Sequence, residues 1–202
     1  MKTTILILAT IFLVTSCSKN DNTPTPPLDQ LPAITTTGAN TAGCLIDGQL
    51  LIPKNGSQAI GGSALYGLEL NAGNDFHPPT IGGDYLQVEI ANKYDVNGAG
   101  IILWIKNLST GAGNYIINQS NGEIDSLGPN NNQIIVGIRA NGTNKTFYSS
   151  SDSGVIIITR FDYYSGIYSG TFNCNLYNKD NPAEKITVTD GRFDIKLATL
   201  NK

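Results

Sequence analysis

His77 is the single histidine among 202 residues, and general-base chemistry near neutral pH falls first on that residue type. It stands in Asp75-Phe76-His77-Pro78-Pro79. A histidine base needs a nucleophile and an orienting acid brought to it in space. Two prolines stiffen this stretch into an extended loop, so a solvated or locally hydrogen-bonded histidine is expected. A structural zinc site takes several Cys or His ligands, and this chain is not expected to supply one. Gly61-Gly62-Ser63-Ala64-Leu65 lacks the second glycine of a hydrolase nucleophile elbow. Glu69, Asp84, Glu89, Asp95, Asp162, Asp190 and Asp194 are the raw material for a glycosidase pair of carboxylates. Strand alternation puts Glu89 and Asp194 on solvent faces, which argues against that use. Asp95-Val96-Asn97-Gly98 places its glycine too early for a calcium-binding EF-hand loop. The expectation is therefore a non-enzymatic chain with no metal and no cofactor.

The thiols point elsewhere. Cys17 ends a segment with Lys2 at its start and the apolar run Ile5 to Val14 in its middle, the layout of a secretory leader. That run is well short of the roughly 20 apolar residues needed to span a bilayer. Val14-Thr15-Ser16-Cys17 resembles the lipobox read by lipoprotein signal peptidase. The resemblance implies cleavage before Cys17 and a diacylglycerol thioether on its sulfur, two acyl chains being enough for stable anchoring. Ser18 rather than an aspartate follows, which by analogy with sorting rules in some Gram-negative bacteria favours the outer membrane; the periplasmic and surface sides both remain open. Export leaves Cys44 and Cys174 as an even pair in an oxidising compartment. A disulfide between them and two separate buried thiols stand on equal terms.

Composition bounds the body. Charged residues are 14% and hydrophobic ones 40%, with 22 glycines and a formal net charge of −3. No basic block is present, so neither nucleic acid nor an anionic membrane surface is an expected partner. Residues 1–16 read as signal peptide. Residues 17–42, rich in Pro and Thr, read as the lipidated cysteine and an extended tether. Residues 43–202 read as one domain.

Within that domain, short apolar runs alternate with Gly/Asn turns, and no apolar residues recur at helical spacing. Asp47-Gly48 between Cys44-Leu45-Ile46 and Gln49-Leu50-Leu51-Ile52 is a two-residue hairpin signal. Ile101 to Ile105 suits a central strand covered on both sides, with Trp104 in the core. Separate strands are expected at Lys145–Tyr148 and Val155–Phe161, and a long exposed loop from Ser120 to Asn132. Ile186 and Val188 face inward at even positions, then Phe193, Ile195 and Leu197 at odd ones. That switch predicts a β-bulge at Asp190-Gly191. The fold expected is an all-β antiparallel sandwich of roughly ten strands, with a barrel as the second choice.

Two blocks carry a family likeness. Residues 37–48, TGANTAGCLIDG, and the pair Ser169-Gly170-Thr171-Phe172 and Val188-Thr189-Asp190-Gly191-Arg192-Phe193-Asp194 resemble the opening and the ending of a group of Bacteroidota lipoproteins of unknown function. With the lipobox, the likeness spans nearly the whole chain. It implies location and all-β class, and it transfers no functional residue. Asp125-Ser126-Leu127 resembles the short O-glycosylation site of Bacteroidota, with Ser126 as acceptor.

For binding, Tyr163, Tyr164 and Tyr168 beside Phe161 are the candidates, because a phenol offers apolar area and a polar handle together. The function expected is a cell-envelope lipoprotein that binds or presents a glycan or protein. The alternatives are a structural or assembly component of an outer-membrane complex and a carboxylate-dependent hydrolase.

Overall fold

The computed structural model describes residues 31–57, 62–75 and 83–202. Among them there is no α-helix, and ten strands form one antiparallel sheet. In chain order these are β1 Thr41–Ile46, β2 Gln49–Leu51, β3 Leu68–Asp75, β4 Gly83–Ala91, β5 Ala99–Ile105, β6 Gly113–Ile117, β7 Gln133–Ala140, β8 Thr143–Asp162, β9 Ile167–Asn178 and β10 Lys185–Lys196. Their spatial order is β2-β1-β10-β9-β8-β7-β5-β4-β3, with β6 on β8. The sheet curls into a half-barrel, so the all-β class holds and one curled sheet packs against itself.

Alternation explains the interior. Leu86, Val88 and Ile90 of β4, Ile101, Leu103 and Ile105 of β5, and Phe172, Cys174 and Leu176 of β9 all belong to a single buried cluster. Each fully buried aliphatic side chain contributes about 1.5–3 kcal/mol. The sheet's two ends are drawn together beyond β2, where Lys54 N–H donates to Ala91 C=O and Lys93 N–H donates to Lys54 C=O. At the C-terminus, the Asn201 amide donates to the Leu68 carbonyl at 2.8 Å, and Leu200 packs on the core.

The first hairpin forms as its sequence demands, with Asp47 at φ 47° and Gly48 at φ 76°, both positive as the tight primed turn requires. The bulge in β10 is present too. Val188 pairs with Cys174 and Gly191 with Phe172, so three steps on β10 meet two on β9. Asp190 carries the positive φ of 53°. A Cβ on Gly191 would stand 2.4 Å from the Phe172 ring, so only glycine lets that ring close the core there.

Two expectations change. Lys145–Tyr148 and Val155–Phe161 are parts of one strand, β8, whose register breaks between Ser149 and Gly154. The first part pairs with β7 and the second with β6, so one edge of this long strand serves two neighbours while β9 runs along the other. Trp104 is 1% exposed and buried in the core, as expected. Ser120 to Asn132 is the long, largely exposed loop expected, tied down where Asn118 N–H donates to Asn132 C=O, Ser120 N–H to Ser149 C=O, and Gln133 Nε2 to Glu123 C=O. Exposed polar runs of this kind are ordinarily read as loops, and only contacts distant in sequence tie this one down.

The second change concerns Asp194 and residues 31–39. Asp194 sits on the outer face as its parity dictates, yet it is only 2% exposed. Residues 31–39 lie over it as a strap. Its carboxylate accepts from Thr35 Oγ1 at 2.6 Å, Gly38 N at 2.8 Å, Thr37 N at 3.0 Å, Ala39 N at 3.1 Å and Ser169 Oγ at 2.7 Å. Arg192 and Arg160 donate to the strap carbonyls of Pro32 and Thr36. The expected boundary at residues 42 and 43 thus falls inside the folded body, which includes residues 31–39.

Candidate functional site

One end of the half-barrel holds a cavity of about 310 Å³. Its lining comes from strands far apart in the sequence: Ala72 and Gly73 on β3, Tyr85 on β4, Phe161 on β8 and Tyr168 on β9. Leu108, in the short 3₁₀ turn Leu108–Thr110 after β5, and Leu197, just past β10, complete the wall with Tyr163 of the β8–β9 turn. Every described lining residue is uncharged, and four of them are aromatic.

Local chemistry sets these walls. The β8–β9 turn is closed by Asp162, whose carboxylate accepts from Ser165 N at 3.0 Å and from Arg160 Nη2 at 2.9 Å. Gly166 turns the chain at φ 63°, and its carbonyl accepts from Leu197 N–H at 3.0 Å. That bond joins the turn to the end of β10. The Leu108 turn is fixed by Tyr115, whose hydroxyl donates to Gly111 C=O at 2.6 Å and lies 2.8 Å from Thr110 Oγ1. Tyr85 stacks on Trp104 with centroids 4.7 Å apart and planes 16° apart. Phe161 and Tyr168 meet at 5.8 Å.

The three tyrosines singled out in the sequence divide by role. Tyr163 is 72% exposed and Tyr164 is 99% exposed, and they meet edge to face at 5.9 Å. Tyr168 is 3% exposed and belongs to the core, so it forms the floor of the cleft rather than a free platform. Tyr85 was missed. Its only signal in the sequence is an aromatic at the start of an alternating strand, and the strand order alone brings it opposite Phe161 and Tyr163.

Cys44 and Cys174 are both free and buried. They lie on β1 and β9, with β10 between them. Strands are spaced about 4.8 Å apart, so a gap of two strands is roughly 10 Å, beyond the 4.4–6.8 Å between Cα atoms that a disulfide spans. Burial pushes the Cys44 thiol up to about 12. Burial raises Cys174 as well, and the neighbouring Cys44 adds to it. Both behave as small apolar groups.

Other sequence candidates do not converge on the cleft. Glu69 and Glu89 face each other across β3 and β4, and Lys93 bridges them at 3.8 and 3.0 Å. Asp95 accepts from Asn97 N–H at 2.9 Å in a local turn. Among the described residues no group of three or more His, Cys, Asp or Glu could hold a metal ion. Ser126 lies in the 3₁₀ turn Asp125–Leu127, where Leu127 is exposed. Cys17 and His77 lie outside the described residues.

Fold and cleft together define an all-β half-barrel with an aromatic mouth at one end. Comparison with known proteins found no matching family model, no similar curated protein and no similar solved structure.

Proposed function

We propose that this chain is a non-enzymatic, lipid-anchored module of the cell envelope that holds a ligand in its aromatic cleft. The carrying observation is the cleft itself: exposed Tyr163, half-buried Tyr85 and Phe161 and buried Tyr168 line one cavity, and exposed Tyr164 stands beside Tyr163. Exposed tyrosine is costly to leave in water and useful against a partner, since the ring supplies area and the hydroxyl a directed bond. The volume sits at the lower end of the roughly 300–1,000 Å³ usual for ligand sites. The leader, the lipobox-like Val14-Thr15-Ser16-Cys17 and the likeness to Bacteroidota lipoproteins support envelope anchoring, with the outer membrane as the favoured site.

The test has two arms. Purified mature chain is expected to give saturable binding on a combined glycan and peptide array, with the signal lost in Tyr163→Ala although the fold is kept. In cells, Cys17→Ser is expected to abolish acyl labelling and release the protein from the membrane fraction. Co-purification with an outer-membrane complex and a silent array would replace this reading with an assembly role.

A further inference from the structure

We infer that the cleft is built for a neutral saccharide, one or two rings deep; this rests on the cleft being the ligand site. Three observations carry it. The first is charge. No described lining residue is ionisable in the acid or neutral range. At the end of β8 beside the cleft, Arg160 and Asp162 satisfy each other at 2.9 Å. Among the described lining residues, an anionic or cationic ligand would lose its hydration and meet no opposite charge.

The second is shape and surface. A pyranose ring has a C–H face, slightly positive and apolar, and a rim of hydroxyls. The C–H face matches the negative face of an aromatic ring, and phenols can hydrogen-bond the rim. Tyr85 and Tyr163 line the cavity, and Tyr164 extends the aromatic surface outward from it. At Gly73, beside Tyr85, the absence of a side chain leaves that ring uncovered; a Cβ there would already lie 3.4 Å from Tyr85 Cε1. The third is size. A volume of about 310 Å³ admits sugar rings and excludes a folded segment of another protein.

The fold also supplies its own reporter. Trp104 is the chain's single tryptophan. It is buried, and it stacks on the Tyr85 ring that lines the cleft. A ring seated against Tyr85 perturbs that stack, so Trp104 emission follows occupancy without a label.

The experiment titrates the purified mature chain with neutral gluco-, manno-, galacto- and xylo-oligosaccharides. A galacturonate oligomer and an uncharged Tyr/Phe-containing peptide serve as rivals, with emission and calorimetry as readouts. The expected result is saturable binding of at least one neutral oligosaccharide, weakened about tenfold in Tyr163→Ala and less in Tyr163→Phe. Binding of the galacturonate alone, binding of neutral sugars that ignores Tyr163→Ala, or no neutral binding at all overturns it. Peptide binding that depends on Tyr163 overturns the saccharide assignment while leaving the cleft as ligand site; silence from every probe counts against both.

Discussion

Asp194 shows how far a single carboxylate can be moved from its apparent role. Burial by itself would raise its pKa, but hydrogen bonds from Thr35, Ser169, Ala39 and Gly38 outweigh burial and hold it well below the ordinary carboxylate range. The folded group therefore releases its proton at a lower pH than the unfolded group, whose pKa is about 3.9. Its stabilisation is fully present above roughly pH 5 and fades as the pH falls through the acid range. Asp194→Ala is expected to cost about 3 kcal/mol at pH 7, measured by urea unfolding. The gap between variant and parent should narrow as the titration is repeated toward pH 3. A constant gap across that range would mean the strap is held by something other than the charge.

At the scale of elements, parity and partner are separate questions. Alternation along β1 and β9 assigns Cys44 and Cys174 to the same interior, and that much is visible in the sequence. Whether they can bond depends on which strand lies between them. With β10 interposed, denatured protein under non-reducing conditions is expected to show two reactive thiols beyond any at Cys17. Native protein should show almost none, because burial keeps both thiols protonated and out of reach. A thiol count of zero after denaturation would require β1 and β9 to be neighbours. The bulge at Asp190-Gly191 is the opposite case: the switch of inward positions on β10 is written along one strand, so it is legible without any knowledge of neighbours. The partner change along β8 is not, since nothing local in Ser150 to Ser153 distinguishes a bent strand from a turn.

For the whole molecule, the strap at residues 31–39 is the feature that most alters its outline. Proline and threonine richness reads as tether, and chain of that composition lacks the apolar surface to fold by itself. Here it needs little, because Asp194, Arg160 and Arg192 supply partners for its backbone and hydroxyls. A chain beginning at residue 40 is expected to lose about as much stability as Asp194→Ala, on the order of 3 kcal/mol. Adding Asp194→Ala to that chain should then cost less than it does in the full chain, since the strap's bonds to Asp194 are already gone. Additive losses in urea unfolding would show the two to be independent.

The sequence by itself determined the strand periodicity, the hairpin at Asp47-Gly48, the bulge, the all-β class and the aromatic character of the β8–β9 turn. Each of these is a local property, set by side-chain alternation and backbone allowance over a few residues. Only the tertiary structure decided that Tyr85 and Ala72 join Tyr163 around one cavity, that Tyr168 is its floor, that the thiols are held apart and that Asp194 is covered. Those outcomes depend on strand order and curl, which arise from burying one continuous apolar face, and no window of neighbouring residues carries that information.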